Sequence, residues 1–384
     1  MRFHLGLPAA LSLAAACLFL PGPASAVPAP GTTRAPGPAT VRAVSHRVPT
    51  PGTGSELLSV ACTSARRCWA AGDYQNTNTD TTRHQLLRWN GQRWRLVTLP
   101  RLHRQSSLTS VSCASARNCL AVGAVLDRSG NSARAEVLRW NGTNWSVAPG
   151  PAGFDSLTAV ACTPTGDCWA VGSQNGPGAA VRWNGHGWGA PVTFSAFKAP
   201  AAITCVTDSD CWLAGDYVKP NSINLGNLVM HWNGRAWSGA RVPQPTSGNQ
   251  LAAITCTSPG DCWAAGSDTT PAGRSRNEAL HWNGRRWALA VTPKGLRVNS
   301  ELLGISCHAR QDCWAAGDDE GGTEAMHWNG YRWALVPTPY RDRTGFLLAI
   351  DCLARTDCLA VGFHGLPPTV NLALHWDGSD WAKT

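Results

Sequence analysis

The sequence predicts an all-β chain, a seven-bladed β-propeller of four-stranded antiparallel blades with one disulfide in each blade. Three observations carry that prediction. One motif occurs seven times, most cleanly from Leu302 to Trp333 as LLGISCHARQDCWAAGDDEGGTEAMHWNGYRW. Its first cysteines, Cys62, Cys113, Cys162, Cys205, Cys256, Cys307 and Cys352, recur every 43 to 51 residues, a period that marks repeat architectures. Each copy contains four short β-type runs bounded by Gly, Pro, Asn and Ser, and no stretch has the apolar period of a helix.

Taken in order, residues 1–26 read as a secretory signal peptide, with Arg2, an apolar run from Ala9 to Leu20, and Ala24-Ser25-Ala26 before the cleavage point. That run is too short to span a membrane and no later stretch is long enough. The protein is therefore expected to be secreted, extracellular and without a membrane span. Cys17 is a weak lipidation signal, and ordinary secretion is the expectation. Residues 27–40 are rich in Pro, Gly, Thr and Ala and read as a flexible linker. Residues 41–384 read as the propeller, with blades starting near 57, 108, 157, 200, 251, 302 and 347. Residues 41–48 resemble the run that follows the closing Trp of other copies, and the chain stops at Thr384, just past Trp381. They are expected to complete the last blade and close the ring.

Within a copy, strand A is the run before the first Cys, as in Leu58 to Cys62. Strand B runs from the second Cys to the Gly of Ala-x-Gly, as in Cys68 to Gly72. Strand C ends at the Trp of Trp-Asn-Gly, and strand D begins at the closing Trp. Asn-Gly between C and D is a hairpin signal, because both residues tolerate positive φ. The Pro-rich segment after D cannot continue a central strand and connects the blades.

Removing Cys17 leaves 14 cysteines, two per copy and six positions apart. In an oxidising compartment one local pairing, repeated, gives Cys62–Cys68, Cys113–Cys119, Cys162–Cys168, Cys205–Cys211, Cys256–Cys262, Cys307–Cys313 and Cys352–Cys358. Zinc would need further ligands beside each pair, which the copies lack. All 19 tryptophans belong to the repeat, and the pair in each Trp-Asn-Gly-x-x-Trp is expected to fill the outer wedge between blades. The net charge of +9 is almost all arginine, scattered over the copies without a basic run. It reads as a soluble basic surface with no nucleic-acid partner.

Function is expected on the face that carries the B–C and D–A loops, which differ in every copy. The residues after each strand-B Gly are Asp73, Ala124, Ser173, Asp216, Ser267, Asp318 and Phe363. Those before each strand A are Glu56, Ser107, Ser156, Ala199, Gln250, Glu301 and Phe346. Asp73, Asp216, Asp318, Glu56 and Glu301 thus form a candidate ligand-binding rim, suited to a hard cation or a sugar, with hydrogen bonding to loop backbone or pairing with arginines as the structural alternative. The Arg or His before each Trp-Asn-Gly, and the Asp before five of the second cysteines, recur too regularly for a site and are expected to make structural contacts.

The copies resemble kelch-type or galactose-oxidase-type propeller repeats, in which strand B ends in Gly and a closing Trp follows a turn. The match is to the class, since Ala-Gly or Val-Gly stands where kelch repeats have Gly-Gly. The Cys-x5-Cys form with Trp-Asn-Gly-x-x-Trp is also similar to secreted repeat proteins of actinobacteria. The resemblance covers almost the whole mature chain and implies no activity. Sialidase-like boxes are absent, and copper chemistry of the galactose-oxidase kind needs a Cys–Tyr pair that fully paired cysteines cannot supply. With no Gly-x-Ser-x-Gly, His-Glu-x-x-His or nucleotide loop, the expectation is a non-enzymatic, monomeric binding propeller without cofactor or metal. Its ligand would be an extracellular polysaccharide, envelope component or protein. A propeller glycosidase or lyase is the alternative.

Overall fold

The computed structural model describes residues 47–100, 105–127, 133–194, 200–220, 222, 224–295, 298–340 and 344–384. Among them the chain forms seven four-stranded antiparallel sheets, at 53–96, 106–147, 154–194, 202–240, 248–289, 300–335 and 345–383. Blade 1 runs Thr53–Ser64 (A), Arg67–Asn76 (B), Thr81–Trp89 (C) and Trp94–Leu96 (D), paired in that order. The other blades repeat it, with one change in blade 3. There strand D is Val192–Phe194, while Trp188 keeps only an isolated bridge to Trp183. Pro191 lacks the N–H that a continuous strand from Trp188 would use.

Strands A and B extend past the boundaries read from the sequence. Strand B continues through the Gly of Ala-x-Gly to Asn76, and strand A already pairs with it from Thr53. The Gly does not end the strand; it lets two strands touch. A β-bulge falls between Leu57 and Ser59, and a Cβ on Gly72 would lie 1.9 Å from the Glu56 carbonyl oxygen. Gly123, Gly266 and Gly317 meet the same obstacle at the same distance.

Each cysteine pair is bonded within its own blade, as Cys62–Cys68, Cys113–Cys119, Cys162–Cys168, Cys205–Cys211, Cys256–Cys262, Cys307–Cys313 and Cys352–Cys358. The two cysteines face each other across A and B, one step inside the tight turn.

The core lies between blades, because a propeller sheet must bury both faces. Seven clusters of buried side chains each straddle one seam. At five seams the Trp after the second Cys enters the facing Trp pair of the next blade. Trp69 lies 4.8 Å from Trp140 and 5.2 Å from Trp145, and Trp314 lies 4.7 Å from Trp376 and 5.2 Å from Trp381. Leu120 and Leu359 take the same place at the other two seams. Each such aromatic contact adds about 0.5–1.5 kcal/mol beyond area burial.

The ring closes between blades 7 and 1. Strand D of blade 7 is Trp381–Lys383, so that sheet is complete from the chain's own end. Of the closing strand expected at 41–48, residues 41–46 lie outside the described residues. Arg47 and Val48 form no strand, although Val48 packs against the blade 7–blade 1 core. Across this seam Cys62 N donates to Asp351 Oδ2 (2.6 Å), Ser55 N to the Thr369 carbonyl (3.0 Å), and Trp94 Nε1 to Thr384 Oγ1 (2.9 Å).

Candidate functional site

The two ends of the ring are chemically different. The end with the A–B and C–D turns is the same in nearly every blade. Asn90 Oδ1 accepts the backbone N–H of Gln92 (3.0 Å) and Arg93 (2.9 Å). Only Gly91 has a positive φ, 91°, so Asn serves here as an acceptor and not as a left-handed residue. The Trp before it locks the C strand to the A–B turn. Trp89, Trp140, Trp232, Trp282 and Trp376 each donate Nε1 to a carbonyl of that turn at 3.1 Å. The Asp before the second Cys pairs with the Arg or His before Trp-Asn-Gly. The pairs are Arg182–Asp167, His231–Asp210 (3.3 Å), His281–Asp261 (2.7 Å), His327–Asp312 (2.7 Å) and His375–Asp357 (2.8 Å). His281 also stacks on Trp263 at 4.3 Å, so these residues are spent on the scaffold.

At the opposite end the candidate rim residues fall into cross-strand pairs, because each pair flanks the Gly bulge. The register opposes Glu56 to Asp73, Ser107 to Ala124, Ser156 to Ser173, Gln250 to Ser267, Glu301 to Asp318 and Phe346 to Phe363. Ala199 lies outside the described residues, and Asp216 pairs on its other side with Asn227. The five acids are therefore not one cluster. Two carboxyl pairs stand in blades 1 and 6, with Asp216 apart in blade 4. Between the two pairs, blade 7 contributes a stacked Phe346–Phe363 pair with centroids 4.9 Å apart.

The acids differ in state. Asp73 accepts from the Ser107 hydroxyl of blade 2, and Glu56 from Thr369 of blade 7 (3.4 Å). Burial pushes the Asp318 carboxyl up to about 8, helped by the charge of Glu301, against the Gly321 N–H that donates to it. Burial raises Glu301 as well, and the two carboxyls share a hydrogen bond. This pair holds a proton near neutral pH. Among the described residues no group of three or more His, Cys, Asp or Glu is arranged to hold a metal ion.

A second polar layer was not foreseen. On strand C, the residue facing the one after the Gly reaches across the seam to the next blade's residue facing the Gly. His84 Nδ1 meets Glu136 Oε1 (2.6 Å), Asn227 Nδ2 donates to Glu278 Oε1 (2.5 Å), and Asn277 Nδ2 donates to Glu324 Oε1 (2.7 Å). Asn371 and Gln85 exchange two amide bonds (2.8 and 3.0 Å) across the closing seam. The seams without a clasp have no matching polar pair: Ala135 precedes Ala179, Gly178 precedes Leu228 and Thr323 precedes Leu372. The signal was present in the sequence, but only on comparing one column of a copy with the neighbouring column of the next.

No protein-family model and no curated protein sequence matches the chain. Solved propellers do match its fold. The chain is similar to YCF48 bound to a D1 peptide, with TM-score 0.54, 13% identity, and coverage of 85% of this chain and 95% of that one. It is similar to a GH74 xyloglucanase from Xanthomonas campestris, with TM-score 0.57 and 14% identity over 87% of this chain and 55% of that one. It is also similar to a PL25 ulvan lyase bound to a saccharide, with TM-score 0.56 and 10% identity over 89% and 97% of the two chains. At these identities the likeness is one of fold: the chain is a seven-bladed β-propeller with a disulfide in every blade.

Proposed function

We propose that this protein is a secreted, non-enzymatic binding propeller that presents the rim end of the ring to an extracellular ligand, a polysaccharide in preference to an envelope component or protein. The observation that carries the reading is the ring of cross-strand pairs. Apart from the Glu–Asp pair that blades 1 and 6 share, it differs from one described blade to the next, while the opposite end repeats in nearly every blade. A rigid scaffold with one variable end is how recognition surfaces are built. Blades 6, 7 and 1 supply a carboxyl pair, a half-buried Phe pair and a second carboxyl pair in succession. A sugar ring lays its apolar face on an aromatic and donates its hydroxyls to carboxylates, so this succession suits it. The kelch-like class of the repeats belongs to the same reading, on the strength of the strand-B Gly and the closing Trp. A glycan and polymer binding panel with the folded protein tests it. Binding that survives Asp73→Ala, Asp216→Ala and Asp318→Ala together removes the rim acids from the site.

One observation favours a second reading, a propeller glycosidase or lyase. A carboxyl that keeps its proton near neutral pH, as Asp318 does beside Glu301, is what a general acid requires. Release of reducing ends or unsaturated products from a polysaccharide, abolished by Asp318→Asn, would establish it. Binding without turnover leaves the first reading in place.

A further inference from the structure

The repeat is its own control for charge, and two blades depart from it. In blades 3 to 7 the Arg or His before Trp-Asn-Gly faces an Asp of the same blade. In blades 1 and 2 that Asp is replaced by Arg67 and Asn118. Arg88 therefore stands beside another arginine, and Arg139 keeps a buried Nε without a partner. The net charge follows the same division. Between Thr53 and Val147, the span of blades 1 and 2, there are twelve arginines and no lysine against Glu56, Asp73, Asp80, Asp127 and Glu136, which leaves +7 of the chain's +9. The basic charge is thus concentrated in two blades, not scattered as the copies first suggest. Four of those acids lie toward the rim end and Glu136 is buried at the seam.

The turn end of the blade 1–blade 2 seam opens into a cleft of about 170 Å³ lined by Arg67, Arg88, Arg117, Trp69, Trp140 and Thr63, among others, none of them acidic. The Arg88 guanidinium lies over the Trp69 ring, 5.6 Å from its centroid. The Arg117 stem packs on the Asn-Gly turn, where a Cβ on Gly142 would lie 3.1 Å from its Cγ. Among the described residues no carboxylate pairs with any of the three guanidiniums. Convergent guanidinium forks match carboxylate and sulfate oxygens.

We propose that this cleft binds the carboxylate or sulfate groups of an acidic polysaccharide, at the end of the ring opposite the rim and independently of it. A polymer fits better than a small ion, because exposed Arg66, Arg93 and Arg95 on the same blade continue the cationic surface. A nucleic acid fits less well. Its bases need exposed aromatic platforms, and Trp69 and Trp140 are only 5% and 7% exposed. A peptide that adds as a strand needs an open sheet edge, and the cleft is built from turns and strand ends.

The test is binding of the folded full-length protein to polygalacturonate and chondroitin sulfate, with dextran, polyglutamate and single-stranded DNA in parallel. Arg67→Asp is the informative variant, since it restores the carboxylate found in blades 3 to 7 and should preserve the fold. Arg88→Gln is the second variant should the first fail to fold. Arg235→Asp, on the exposed turn of blade 4, makes the same change in net charge elsewhere. We expect the acidic glycans to bind and dextran not to. We expect affinity to fall about tenfold or more in Arg67→Asp and Arg88→Gln and to stay within about twofold in Arg235→Asp. Equal losses in Arg67→Asp and Arg235→Asp, preference for polyglutamate or DNA, or no binding to either acidic glycan would overturn the proposal. Loss of rim binding in the triple aspartate variant would leave this site unaffected.

Discussion

Replacing Glu278 by Gln should stabilise the ring at alkaline pH and leave it unchanged in acid. At two consecutive seams an Asn donates to a buried Glu, yet Glu278 Oε2, Glu324 Oε2, Asn227 Oδ1 and Asn277 Oδ1 are all buried without a partner. The closing seam shows what completes such a pair, for there the Gln85 and Asn371 amides each donate to the other. A proton on Glu Oε2 supplies the donor that Asn Oδ1 lacks, so the neutral acid is the form the seam accommodates. Burial accordingly pushes Glu278 up to about 8, against the Asn227 hydrogen bond and with a contribution from Asp268. Burial pushes Glu324 up to about 7, against Asn277 and with a contribution from Asp319.

The sign follows from which state holds the proton more tightly. The folded protein does, relative to an unfolded carboxyl near 4.5, so this stability is full in acid and is lost as pH rises from that value to about 8. For Glu278 alone the ceiling is about 5 kcal/mol, at about 1.4 kcal/mol for each tenfold change in proton affinity. Glu278→Gln presents an amide at every pH, as Gln85 does. Its melting temperature should match the parent near pH 4 and exceed it at pH 8.5 by roughly 5–10 °C. Calorimetric scans across that range decide the matter. Parallel curves for parent and variant would refute the buried neutral acid.

Three further outcomes follow from the same geometry. Gly266→Ala would place a Cβ 1.9 Å from the Gln250 carbonyl oxygen, whereas Gly187→Ala meets nothing within 4 Å. The first should cost about 3 kcal/mol or more and the second under about 0.5, read from denaturant midpoints. Asn371→Ala leaves the buried Gln85 Oε1 without the donor Asn371 supplies, although Gln85 Nε2 keeps the Glu56 and Asp73 carbonyls, and it removes the bond to Pro49 O. It should cost about 2–4 kcal/mol and speed proteolysis at the closing seam, and unchanged cleavage would argue against that seam as the latch. Replacing Cys205 and Cys211 together by Ser opens a seven-residue loop and should cost about 2–2.5 kcal/mol under non-reducing conditions, with the other six bridges intact by peptide mapping.

The period, the cysteines and the tryptophans made the architecture legible because each acts within one blade or between equivalent faces. A residue needed at every seam must recur in every copy, and recurrence is visible in one sequence. The Asn-Gly hairpin was placed correctly for a partly wrong reason. Asn90 is retained for its side-chain acceptor, which explains why Asp377 serves in the last copy and accepts from Ser379 and Asp380. The strand-B Gly read as a strand end because its role, close approach to strand A, is a contact between strands and leaves no local mark. The rim residues were found by position, but their opposition in pairs needed the register.

What escaped the sequence reading were relations between one copy and the next, and these separate structure from function. Departures from the repeat are of two kinds. Some are matched across the seam. Where blade 2 has Ala135 in place of a donor, blade 3 has Ala179, and where Thr323 precedes Leu372 its hydroxyl turns to Thr338 (2.7 Å). Matched departures preserve packing and ask for no ligand. Others have no match. Arg67 stands where Asp stands in five blades and brings no compensating carboxylate, and Phe346–Phe363 stands where the other described pairs are polar or small. An uncompensated charge or a half-buried aromatic pair on a scaffold this regular is the feature that folding does not explain. The cleft at the turn end and the platform at the rim are therefore where a ligand should be sought.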